Sequence, residues 1–199
     1  MIYLTRSEEG SSRAMAVPAC DSVFDVVFWL IDRALNDKEY LAPQKMHHLL
    51  YLSQAYHAVL NRGARLVPAV FIAHEMGPME PNVYRIFQSS ERPYIERLMV
   101  PEGVEDFLDT IWRRFGHYSA DYLNRALKLH PPYAEALRQA PRTEITLAAM
   151  IKFYSRTRND SETRATTAPN AERMVKPKVL TTQTGRAVTV KQWIPGSAK

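Results

Sequence analysis

The sequence predicts a mainly α-helical fold: one compact bundle of about six helices in a single domain, with at most a short two-stranded β-ribbon and a flexible C-terminal tail. Three observations carry that expectation. Apolar residues recur at three- and four-residue steps through most of residues 21–155, the period of a buried helical face. Glycines and prolines fall mainly at the ends of those stretches. Past Arg156 the composition turns abruptly to Thr, Ser, Asn, Ala and charged residues with no helical stripe, and such a segment cannot bury enough apolar surface to offset the cost of ordering. A chain of 199 residues that is 46% hydrophobic is long enough for one core. The resulting division is a flexible segment over 1–20, a helical domain over 21–155 and a basic tail over 156–199.

In chain order, residues 1–20 are polar and irregular, and Met15 offers a second start beside Met1. Asp21 or Ser22 can cap a first helix. Its Val23, Phe24, Val26, Val27, Leu30, Ile31 and Ala34 cover so much of the circumference that a central place in the bundle is expected, with an end near Asn36-Asp37. Pro43 suits the first turn of a second helix, where its missing N–H would be unpaired in any case. Met46, Leu49, Leu50, Ser53, Tyr56 or His57, and Leu60 then mark one buried face, and Gly63 can take the left-handed conformation beyond the end.

Leu66 to Ala73 is a short β-branched run broken by Pro68, suited to an edge strand or an extended crossing segment, with Tyr94 to Val100 as a candidate partner strand. Gly77 and Pro78 are read as the structural turn, and Pro81 as the start of a helix carrying Val83, Tyr84, Ile86 and Phe87. Pro101-Glu102-Gly103 opens a helix with an apolar stripe from Val104 to Phe115, ended by Gly116. Ser119 caps the next, which His130-Pro131-Pro132 stops. Ala134 to Gln139 makes one or two helical turns, and Thr143 caps a last helix buried through Ile145, Leu147, Met150, Ile151 and Tyr154. In the tail, Val179, Leu180, Val188, Val190, Trp193 and Ile194 could form a short hairpin over 179–194.

Charge and motifs narrow the function. Residues 156–199 hold nine Lys or Arg against three Asp or Glu, net +6, and the remaining 17 basic and 18 acidic residues leave the body at −1. A basic tail can contact phosphates, so a DNA-associated regulator is one reading. Its Lys and Arg are dispersed and nearly free of aromatics, and a solvated tail is the plainer reading. No apolar run is long enough to span a membrane, no secretory signal is visible, and Cys20 stands alone, so a cytoplasmic protein with no membrane contact is expected. The six histidines lack zinc spacing, no phosphate-binding glycine loop is present, and no cofactor or metal is expected. His47 and His48 point about 100° apart on a helix, which puts one toward the core and the other toward solvent. His74-Glu75 could form an acid–base pair, but neighbours on an extended segment face opposite ways. Cys20 has no local base and reads as a small apolar residue. An enzyme is not expected. A protein-binding module remains, with Tyr51, Tyr56 and Tyr84 as large amphipathic side chains suited to an interface or, equally, to a core.

The same residues carry a family resemblance. The order Lys45, Leu49-Leu50-Tyr51, Gln54, then Ala73, Gly77-Pro78, Pro81 and Tyr84, resembles the Panacea domain family, which includes the SocA-like antitoxins, over about Asp21 to Tyr154. Met46 and His48 stand where the family pattern has Leu and Lys, His74 stands in for a tryptophan, and Leu129-His130-Pro131-Pro132-Tyr133 matches a later block with Tyr133 in place of Trp. The resemblance implies an antitoxin that neutralises a cognate toxin protein by direct contact, and for the SocA-like branch an adaptor that presents it to a Clp-type protease. The protein-binding residues it implies are Lys45, Tyr51, His74, Tyr84, His130 and Tyr133, with Gly77, Pro78 and Pro81 shaping the backbone.

Overall fold

In the computed structural model, residues 17–88 and 100–155 are described in full, together with the backbone of 180–181 and 187–188. Seven helices lie among them: α1 (Val23–Asn36), α2 (Pro43–Leu60), α3 (Pro81–Gln88), α4 (Glu102–Phe115), α5 (Ala120–Lys128), α6 (Pro131–Gln139) and α7 (Leu147–Tyr154). The strands β1 (Ile72–His74) and β2 (Gly77–Met79) form an antiparallel ribbon, and β3 (Leu180–Thr181) pairs with β4 (Ala187–Val188), Leu180 opposite Val188. The mainly α fold with a short ribbon is as expected. The turn of the 179–194 hairpin and the remainder of the basic tail lie outside the described residues.

Local signals account for the helix ends. Ser22 caps α1 with a capping box: its hydroxyl accepts from Phe24 N–H, and the Asp25 carboxylate accepts from Ser22 N–H. Pro43 opens α2, Pro131 and Pro132 open α6, and Ser119 caps α5. Asn61, Arg62 at φ 53° and Gly63 at φ 93° turn the chain out of α2. The cap of α7 is Thr146 rather than Thr143, because Arg142 to Ile145 run extended beside β1: Ala73 N–H donates to Thr143 O, Arg142 N–H to Ala73 O and Ile145 N–H to Phe71 O. That segment occupies the free edge of β1, the place expected for Tyr94–Val100, of which only Val100 is described.

The centre of the bundle is α2, not α1. It packs against α7, α4, α5, α1 and β2, and it is buried from Lys45 to Ala58 without a break. The expectation of one buried face fails because that stretch has neighbours on every side. Its leucines contribute about 1.5–3 kcal/mol each by leaving water; its Ser53, Gln54, His47, His48 and His57 are buried with them. Helix α1 buries one face through Val26, Val27, Leu30 and Ala34, leaving Leu35 exposed.

Beneath α2 lies an aromatic layer: Tyr51 on Phe71 (5.5 Å between centroids) and Tyr154 (6.3 Å), and Tyr56 on Tyr154 (5.0 Å) and Phe115 (5.7 Å). Leu66–Val70 is irregular rather than a strand. Buried Gln54 holds it: its Oε1 accepts from Leu66 and Val67 N–H (3.0 and 3.1 Å) and its Nε2 donates to Val67 O (3.4 Å). Cys20 is buried here, its N–H donating to Leu66 O, so it belongs to the packed body and not to a mobile approach. Burial pushes its thiol up to about 11, which leaves it unreactive at neutral pH.

Candidate interaction site

The β1–β2 hairpin combines a backbone held by several side-chain hydrogen bonds with outward side chains at its tip. The chain reverses at Glu75-Met76, two residues before the expected turn, and Gly77-Pro78 instead form the returning strand, with Ile72 opposite Met79 and His74 opposite Gly77. Gly77 sits at φ 117°, and a Cβ there would overlap the His48 ring. Only glycine meets both conditions.

Four side chains pin this hairpin from below. Met76 O accepts from Gln44 Nε2 (2.8 Å) and from His48 Nε2 (3.0 Å), so His48 carries its proton on Nε2. Glu80 N–H donates to His47 Nδ1 (3.3 Å), and the Tyr133 hydroxyl donates to His74 O. Within the turn, Met76 N–H donates to His74 Nδ1 (3.2 Å). Glu80 then caps α3: its carboxylate accepts from Val83 N–H (2.7 Å) and Asn82 Nδ2 (3.1 Å), and its carbonyl from Tyr84 N–H. Adjacent histidines on α2, pointing apart as helix geometry requires, thus hold the turn and the exit of one hairpin. Both are buried, against the expectation that one would be solvated.

No family model, curated protein or solved structure matches the chain.

Burial sets the charge state. The His47, His48 and His130 imidazoles are lowered to about 4 chiefly by desolvation, with His48 and His74 adding to the effect at His47, while the bond to Met76 O opposes it at His48. All three are neutral at pH 7, as His47 must be to accept from Glu80 N–H. Among the described residues no group of three or more His, Cys, Asp or Glu is placed to hold a metal ion.

The expected binding residues separate into two sets. His74 and Tyr84 are half-buried at the surface, their rings 6.4 Å apart, beside exposed Glu75 and Met76. Lys45 is buried, paired with Glu39 (3.3 Å) and lying over the Trp112 ring. Tyr51 and Tyr133 are 0% exposed, and His130 is buried with Nδ1 2.9 Å from the Tyr154 hydroxyl. These four cannot touch a partner while the domain is folded. Their work is internal: core for Tyr51, support of the hairpin for Tyr133, and tethers for Lys45 and His130. Of the backbone-shaping residues, Gly77 and Pro78 are strand and Pro81 opens α3. Sequence reasoning missed Gln44, Met76 and Glu80, and gave His47 and His48 no part in holding the hairpin. One signal was present: from Met46 to Asn61 there is no Asp, Glu, Lys or Arg, so the polar residues of that helix had no charged face to sit on.

No helix among the described residues is long and apolar enough to cross a membrane.

Proposed function

We propose that the protein is a binding module without a reaction of its own, an antitoxin that neutralises a cognate toxin protein by direct contact through the β1–β2 hairpin tip and the adjoining face of α3. The observation that carries this reading is the pinned tip. Its backbone is fixed by Gln44, His47, His48 and Tyr133, yet Glu75 and a half-exposed Met76 face out, flanked by His74 and Tyr84. A loop already ordered in its binding conformation loses little entropy on docking, and a methionine flanked by aromatic rings is an adaptable anchor for an apolar depression on a partner. The Panacea resemblance supplies the partner class, and its SocA-like branch supplies a second step, delivery of the bound toxin to a Clp-type protease.

The test is co-expression with the small protein encoded next to this one. Suppression of toxicity and co-purification are expected, with both lost in Met76→Arg and Tyr84→Ala and retained in Tyr122→Ala, a surface control on α5. A neighbour that is neither bound nor suppressed refutes the antitoxin reading; binding that survives both tip variants refutes the assigned surface. Accelerated turnover of the neighbour by a Clp protease only when this protein is present would establish the delivery step, and unchanged turnover would remove it.

A further inference from the structure

The turn between α4 and α5 carries a second surface of different chemistry. Helix α4 ends at Phe115, and Gly116 lets the chain pass close over Trp112: a Cβ there would lie 2.6 Å from Trp112 O and 2.9 Å from its ring. Ser119 then starts α5, its hydroxyl accepting from Tyr122 N–H (3.2 Å). This sharp change of direction lays three rings against one another. The His117 and Tyr118 centroids are 3.9 Å apart, and Tyr118 and Tyr122 are stacked at 4.3 Å with 18° between their planes. The ends of this ladder, His117 and Tyr122, are exposed, and the middle ring is half-buried. Cations continue the row: Arg125 lies one turn beyond Tyr122, and Lys128 one turn beyond Arg125. Both are exposed, and neither forms an ion pair among the described residues. Arg113 is already held by Asp109 and is not counted with them. Residues 110–142 hold six Lys or Arg against Asp121 and Glu135, although residues 1–155 as a whole sum to −1.

We propose that this row binds single-stranded nucleic acid, with bases stacked on the exposed rings of Tyr122 and His117 and phosphates paired with Arg125 and Lys128. Unpaired cations call for an anion, and the rings choose among anions. An aromatic face carries the negative end of the ring quadrupole, so an acidic peptide gains from the cations alone. A nucleotide gains from both parts, because its base has a π-face to stack and its phosphate a charge to pair. A duplex keeps its bases stacked on one another and offers groove edges and phosphates instead, which favours the separated strand. The ring spacings of 3.9 and 4.3 Å are close to the distance between successive bases, about 3.4 Å. Asp121 is the one carboxylate on α5 that opposes the phosphates. Stacking accepts every base, so little sequence preference is expected.

Fluorescence anisotropy of a labelled oligothymidine of about 12 nucleotides, titrated with the full-length protein, tests this. Binding is expected to be at least about tenfold tighter than to a duplex of the same length. Tyr122→Ala should weaken it about fivefold or more with an unchanged circular dichroism spectrum, and Tyr122→Phe, which keeps the ring, should hold the original affinity. Arg125→Ala combined with Lys128→Ala should lower the slope of log affinity against log salt by about 1.4. With 5-iodouracil in place of thymine, irradiation should give crosslinks at His117, Tyr118 or Tyr122, mapped by mass spectrometry. Absence of binding, equal affinity for the duplex, or indifference to Tyr122→Ala overturns the proposal. Crosslinks confined to residues 156–199 overturn it in favour of the basic tail acting alone, and competition by polyglutamate as strong as by oligothymidine overturns it in favour of an acidic protein partner. No second protein enters the assay, so its outcome is separate from that of the antitoxin test, in which Tyr122→Ala retains binding.

Discussion

Acidification offers the sharpest test of the buried histidine network. His47, His48 and His130 are held near 4 in the folded protein and have an ordinary value of 6.5. The unfolded chain therefore binds more protons than the folded one between those values, and stability must rise with pH across that window and fall as pH drops through it. Working from the linkage relation, moving from pH 7.5 to pH 5 costs about 2 kcal/mol per histidine and about 6 kcal/mol for the three. That is comparable with the whole stability of an ordinary domain, about 5–15 kcal/mol. His57 is lowered in the same direction by burial and adds to the loss. Asp25 works the other way: burial raises its carboxyl, so its protonation in the acid range favours the folded state. The assay is urea unfolding by tryptophan fluorescence at pH 7.5, 6 and 5. The midpoint should fall steeply below pH 6.5, and the pH slope should drop by about one proton in His48→Gln and again in His130→Gln, whatever those changes do to the baseline. A midpoint that is flat or rises toward pH 5 would refute the assignment of these rings as neutral and desolvated.

Other consequences are more local. Gly77→Ala forces a Cβ into the His48 ring at a left-handed φ and should cost more than about 2 kcal/mol, read as a lowered thermal midpoint; a change within experimental error would refute the close approach. Gln54→Ala strips the acceptor from Leu66 N–H and Val67 N–H at once, while Val67 O keeps Ala69 N–H, and should cost about 2–4 kcal/mol, whereas Gln54→Glu, which keeps the acceptor, should restore part of it. Removing the α3 cap with Glu80→Ala should cost about 1–2 kcal/mol, with faster amide exchange confined to Asn82, Val83 and Tyr84. In contrast, Met76→Ala should change stability by no more than about 0.5 kcal/mol because that side chain is half exposed.

Features that depend on one or two neighbouring residues were legible in the sequence: the Ser22 cap, the prolines at 43 and 81, and Gly63 beyond α2, whereas Pro131, read only as the stop of the preceding helix, also opens α6. Each works through backbone φ or an unpaired N–H within the same turn, so no tertiary information is needed. Features set by what lies around a helix were not. Apolar periodicity made α1 look central and α2 one-sided, since it scores side-chain type and cannot register that a glutamine or histidine has its partner 13 to 33 positions away. The site suffered most from this limit. Tyr51 and Tyr133 look alike to Tyr84 in sequence, and only the packing of α2 and α6 against the ribbon consigns the first two to the interior.

Helix α2 works like the pinned barrel of a musical box. His47 and Gln54 project within about 20° of each other, His48 and His57 in other directions, and the four meet backbone groups of Glu80, Met76, the 66–67 stretch and Ala64. The paths of two loops are thus recorded as angular positions on one rod. Inserting a single residue after Tyr51 would turn everything beyond it by about 100°. Gln54 and His57 would then face the wrong segments while the hairpin stayed in place, although composition, hydrophobicity and helix propensity would scarcely change. For this domain, phase along α2 is a heritable constraint separate from the identity of any residue in it.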